Sequence, residues 1–377
     1  MTRLIKISKL LIITILFYNT SFSQSDLSYR NDYFEFDSVK QNTLLIHLKN
    51  NNFFKNNEYF SPIIEGYTLL GYHFAPTLVY YADSRFRLEG GVDVLQYHGL
   101  KNETEFSPIL SAYLRLFQRF DIVMGTLRGN VKHNMIEPMY DPEFQFTRPN
   151  ESGFQFLYFG NRFSADAWLD WEQFIRYGDS IPEILTAGIS AEMTFVDSES
   201  WKLKMPLQFI AKHTGGQISH RSIPVQTHVN LAAGLDLSKK MSGFVENIGG
   251  FGYYLIYREA TSSNFIGINS GQACYAGINI NVKNGFLMMG YWNAENFYAP
   301  KGSPVFQSVS YPENDEIIKC RNLLTGKIGF HRSFNSKLKF SLVAETYYDT
   351  KDNRLDYAYS MNIVFTPDFI VKKLKIN

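Results

Sequence analysis

The sequence predicts an all-β fold, a transmembrane antiparallel β-barrel of about 16 strands with 14 as the alternative count. Three observations carry that expectation. Long segments alternate apolar and polar residues with a period of two, short turns alternate with long polar loops, and after residue 23 no apolar run is long enough for a membrane helix.

The chain opens with Arg3, Lys6 and Lys9, then a short apolar core over residues 10–17, then Ser21-Phe22-Ser23. That order reads as a cleaved signal peptide over 1–23, since the apolar run falls well short of the roughly 20 residues a bilayer span requires. The organisation expected is signal peptide 1–23, periplasmic extension 24–40, barrel 41–366 and periplasmic basic tail 367–377. Lys and Arg total 37 against 36 Asp and Glu, so the basic surplus of a nucleic-acid binder is missing.

The first strand is read over residues 43–49 and the remainder between 67 and 366. Phe86, Leu88, Val92 and Val94 oppose Arg87, Glu89 and Asp93. Over 201–212, Trp201, Leu203, Met205, Leu207 and Phe209 oppose Lys202, Lys204, Gln208 and Lys212. Over 225–236, Val225, Thr227, Val229 and Leu231 oppose Gln226, His228, Asn230 and Asp236, and Leu355, Tyr357, Tyr359 and Met361 oppose Arg354, Asp356 and Ser360. Successive side chains of a strand point to opposite faces, so one face is apolar and the other charged.

Short turns at 83–84, 119–120, 161–162, 197–200, 238–240, 283–285 and 334–336 place those ends in the periplasm. Loops 134–152, 214–223, 259–270 and 295–319 then lie outside the cell. Asn284-Gly285 suggests a type I′ hairpin. Trp168, Trp171, Trp201, Tyr257, Trp292 and Tyr347 fall near strand ends, where aromatic girdles meet the headgroups.

On these features residues 41–366 resemble outer-membrane barrels of porin-like type. One departure is the last strand, which ends near Phe365 and is followed by Phe369 and a basic tail. The resemblance implies outer-membrane location, contact with outer-membrane lipids and lipopolysaccharide, passage through the barrel-assembly machinery, and a homo-oligomer or envelope partner. No cofactor and no nucleic-acid partner is expected.

A charge facing hydrocarbon costs roughly 2–4 kcal/mol at the midplane, so charged strand residues belong inside. Parity puts Arg87, Glu89, Asp93, Arg115, Arg128, Asp166, Asp170, Lys202, Lys204, Lys212, Asp236, Lys337, Lys339, Arg354 and Asp356 on the lumen. They line water or bridge one another. The function expected is a channel for small polar solutes, with a docking barrel as the alternative; aromatics such as Phe144, Phe146, Phe297, Tyr298, Phe306 and Tyr311 in the long loops anchor a partner or fold inward.

A lipid hydrolase is the remaining class. His98, His133 and His213 share lipid-facing parity near the outer rim and offer a general base. None has a serine and a carboxylate at a recognisable spacing, so the sequence reading is that the chain is not an enzyme. Cys274 and Cys320 match no zinc spacing, the Gly-Gly pairs lack the lysine of a phosphate loop, and Asp141, Glu143 and Glu151 suggest either Ca²⁺ binding or a solvated acidic loop.

Overall fold

A single antiparallel sheet closes on itself in the computed structural model, which describes residues 36–101, 103–216, 224–261, 265–310 and 316–373. The strands are β1 (Thr43–Glu58), β2 (Tyr67–Tyr81), β3 (Phe86–Tyr97), β4 (Glu105–Phe117), β5 (Phe120–Thr126), β6 (Ser152–Phe159), β7 (Phe163–Gln173), β8 (Glu183–Asp197), β9 (Trp201–Gly215) and β10 (Gln226–Lys240). They continue with β11 (Val245–Glu259), β12 (Ser270–Val282), β13 (Gly285–Glu295), β14 (Cys320–Ser333), β15 (Leu338–Asp349), β16 (Arg354–Phe365) and β17 (Asp368–Lys373). From β1 to β16 each strand pairs with its neighbours in sequence, so those connections are hairpins, while β17 pairs with β1.

Closure explains how these segments make a 16-strand wall. The outer half of β1 pairs with β16, from Asn50↔Phe365 to Glu58↔Tyr357. Its inner half pairs with β17, from Thr43↔Lys373 to His47↔Asp368. The last wall strand is thus β16 and β17 in succession, broken at Pro367, which has no N–H to donate. Its carbonyl still accepts from Leu48 N at 3.1 Å. The expected tail therefore needs correction, because residues 368–373 belong to the wall. The expected signal peptide over 1–23, most of the expected 24–40 extension and residues 374–377 lie outside the described residues.

Parity holds along each strand. On β1, Leu45, His47, Asn51, Phe53 and Lys55 are buried, while Ile46 and Asn52 are exposed. On β16, Asp356, Ala358, Ser360 and Asn362 are buried, while Tyr357, Tyr359 and Met361 are exposed. The expected type I′ turn does not form: Val282 pairs with Gly285, so the central residues are Lys283 and Asn284, and neither has a positive φ. The aromatic girdle also needs correction. Trp171 and Trp201 are exposed, but Trp168, Tyr257, Trp292 and Tyr347 point inward and are buried.

Those inward rings meet two outer loops that fold back into the barrel. Residues 127–151 bring Ile136 and Met139, and residues 296–319 bring Phe297, Val305, Phe306 and Val309, into one cluster with Tyr275, Trp292 and Tyr347 of the wall. Phe306 meets Tyr275, Trp292 and Tyr347 edge-on at centroid distances of 5.7, 5.2 and 5.7 Å. The loops also join each other, with Asp141 N donating to Lys301 O at 2.7 Å and Ser303 N to Glu137 O at 3.0 Å. A Cβ on Gly302 would lie 2.0 Å from Pro138 O, so only glycine permits that approach. The inner end is narrowed too: Phe36, from the expected periplasmic extension, stacks on Tyr113 at 4.7 Å.

Candidate functional site

Most of the sequence-selected charges occur here as close pairs. Arg87 is buried 3.5 Å from Glu89, whose carboxylate also accepts from Thr77 Oγ1 at 2.9 Å. Arg115 grips Asp121 through Nε and an Nη at 2.9 and 3.0 Å. Asp93 contacts His73 at 3.4 Å and accepts from Asn150 at 2.9 Å. Lys204 meets Glu192 at 2.8 Å, Lys212 meets Glu172 at 3.5 Å, and Asp236 accepts from Tyr253 at 3.0 Å. Asp170 and Asp356 accept backbone amides, from Ser152 at 2.9 Å and from Phe60 and Ser61 at 2.6 and 3.0 Å.

Five residues of that set sit differently. Arg128 lies on the loop rather than a strand, and its amide donates to Gln155 Oε1 at 2.9 Å. Lys337 is in a turn, 2.8 Å from Asp368. Arg354 is exposed at the outer rim and donates to Phe60 O at 3.1 Å. Lys202 and Lys339 are half-buried at the inner ends of their strands.

Loop charges complete the lattice. Lys301, almost fully buried, reaches Glu172 at 3.1 Å, and Glu172 also takes Arg148 at 2.8 Å. Lys327 on the wall meets Glu137 at 2.5 Å and Glu345 at 2.8 Å, while Lys55 meets Glu143 at 2.8 Å and Glu345 at 3.5 Å. Glu143 and Glu151, weighed above as calcium ligands, are engaged by Lys55, Tyr67, Tyr140 and His133 instead. Burial and the neighbouring Glu143 push the Asp141 carboxyl up to about 7.

The three histidines of matching parity part company. His133 is not lipid-facing, because the loop carries it into the lumen. It bonds Glu151 at 2.6 Å and Asp166 at 2.9 Å. Burial opposes its charge, but Glu151 and Asp166 raise the imidazole to about 9. Burial likewise opposes ionisation of Glu151, which His133 nevertheless holds down to about 2. His98 is exposed beyond β3, its ring 5.9 Å from Tyr72.

His213 is the one that meets a hydroxyl on the outer wall. It lies near the outer end of β9 with its Nδ1 2.9 Å from Thr227 Oγ1. The β9–β10 register pairs these two residues directly, both with lipid-facing parity. Sequence reading sought a serine and overlooked Thr227; strand parity and the hairpin register were the signal for it. A hydroxyl within reach of an imidazole is the minimal base–nucleophile unit of acyl transfer.

Fold and wall define an outer-membrane β-barrel. Residues 36–374 match the family described as Lipid A 3'-O-deacylase-type, and the chain belongs to that family. The expectation that the chain is not an enzyme is thereby overturned, since the family is an enzyme family. Sequence reading failed there because it required a serine–histidine–carboxylate pattern contiguous enough to see. No curated protein matches the chain. Among solved structures it is similar to OprD of Pseudomonas aeruginosa, at 9% identity and TM-score 0.51, covering 89% of this chain and 99% of that one. A loop-deleted OmpT of Vibrio cholerae shares 12% identity at TM-score 0.49, covering 86% of this chain and 99% of that one. The first of these likenesses supports the porin-like wall, and nothing beyond the fold is drawn from it.

Proposed function

We propose that the protein is an outer-membrane hydrolase that releases acyl chains from ester positions of lipid A, with His213 as general base and Thr227 as nucleophile. The observation that carries this reading is the 2.9 Å imidazole–hydroxyl contact on the lipid-facing rim, in a chain whose family is described by deacylation. In the first step His213 Nδ1 takes the Thr227 proton as Oγ1 attacks the ester carbonyl. The imidazolium then protonates the departing sugar oxygen, and an acyl-threonine remains. Water, deprotonated by the same imidazole, cleaves that ester and frees the fatty acid and Thr227. Purified protein incubated with labelled lipid A tests it. Wild type releases fatty acid, while His213→Ala and Thr227→Val each lower the rate by about 10²–10⁴-fold. Unchanged rates in both variants, or no release by wild type, reject the assignment.

A second reading, passage of small polar solutes, draws on a recess of about 100 Å³ between the β1–β4 wall and loop 127–151, whose mixed lining includes Lys49, Thr77, Glu89, Ser111 and Lys132. Under that reading the sequence-selected interior charges set selectivity. Planar-bilayer recording decides it, and purified wild type giving no current discards it.

A further inference from the structure

Two amides stand on the lipid-facing wall where hydrocarbon surrounds them. Asn50 and Asn52 share the outward face of β1, half-buried and exposed respectively. Across the sheet Asn50 is paired with Phe74 and Phe365, and Asn52 with Tyr72 and Ile363. Along the strand the outward neighbours are Ile46 and Leu48 toward the periplasm and Phe54 toward the outside. Phe54 is itself paired with Leu70 and Met361, both exposed and apolar. Only at the next outward position, Asn56 with Thr68 and Tyr359, does the wall become polar again.

A side-chain amide carries two donors and two lone pairs. The pair satisfies one of each internally, with Asn52 Nδ2 donating to Asn50 Oδ1 at 2.6 Å. Both donors of Asn50, a donor of Asn52 and the carbonyl oxygen of Asn52 still face the membrane. Unpaired amide groups in hydrocarbon are costly, so the matching ligand offers acceptors and donors together. Esters of ordinary phospholipids supply acceptors alone. An amide-linked acyl chain supplies both, through its C=O and its N–H.

We infer that Asn50 and Asn52 form a docking point for one lipid bearing an amide-linked acyl chain. It stands apart from the hydrolase reading, because β1 and β9 lie on opposite walls of the ring. The test is native mass spectrometry of full-length protein loaded with lipid A, which carries amide and ester chains, or with phosphatidylethanolamine, which carries esters only. Wild type retains one lipid A in preference to phosphatidylethanolamine by about tenfold, and the Asn50→Leu/Asn52→Leu double variant loses that preference. Heat-modified gel mobility shows that the variant is folded. His213→Ala keeps the adduct while losing acyl release, so either idea can fail alone. Equal retention of the two lipids by wild type, undiminished preference in the double variant, or loss of a dimer instead of a lipid overturns the inference.

Discussion

The indole of Trp168 lies flat on the imidazole of His133, with ring centroids 3.5 Å apart and planes 10° from parallel. One ring belongs to the wall and the other to loop 127–151, so the contact is a seam between barrel and plug. A Cβ on Gly188 of the next strand would sit 2.1 Å from that indole, which is why the position is glycine. Gly188→Val should displace Trp168 and cost about 1–3 kcal/mol by overpacking. Urea unfolding followed by tryptophan fluorescence measures it; an unchanged midpoint would mean the seam has slack.

The same histidine makes the plug depend on pH. Its pKa is raised from 6.5 to about 9 in the fold, so its contribution is complete below about 6.5 and lost as pH rises through 9. Glu151 is lowered from 4.5 to about 2, so its contribution is present above about 4.5 and lost as pH falls through 2. The His133 and Glu151 contributions are therefore both complete between about pH 4.5 and 6.5. Hydrogen exchange, corrected for intrinsic rates, should show weaker protection at pH 9.5 than at pH 6, and no difference would refute the assignment.

Lys301→Met removes the buried cation that loop 296–319 places on Glu172. Breaking one side of a buried pair typically costs about 3–5 kcal/mol, discounted here because Lys212 and Arg148 remain beside the carboxylate. The expected outcome is faster proteolysis within that loop and transient current steps absent from wild type. Identical cleavage kinetics would show that the aromatic cluster alone holds the loop.

Truncation after Thr366 removes the partner of Thr43–His47. The inner half of β1 then keeps β2 but exposes its other edge, and an open edge in a bilayer leaves backbone groups unpaired. Such a chain should fail to reach the heat-resistant form on gels. Full recovery of that form would make β17 dispensable for closure.

The wall was legible in the sequence because period-two alternation is a local property. Trp201 to Lys212 announce their two faces without help from any other segment. The plug was not legible, since residues 127–151 and 296–319 carry no periodicity and their burial depends on rings that arrive from β12, β13 and β15. Trp168 and Trp171 show the limit well. Trp168 stands at the middle of β7 and Trp171 near its end, and the odd spacing puts one in the lumen and the other on the outward face. The site was half visible: His213 could be selected by parity, whereas Thr227 becomes its partner only through the β9–β10 register. Pro367 misled in the opposite direction, by making a wall segment look like a tail.

Drawing the two longest outer connections inward has a consequence at the cell surface. Among the described residues of those two connections, the rings an antibody, phage or protease could grip, Phe297 and Phe306, are sheltered inside. Side chains that would make that surface adhesive are spent on filling the interior.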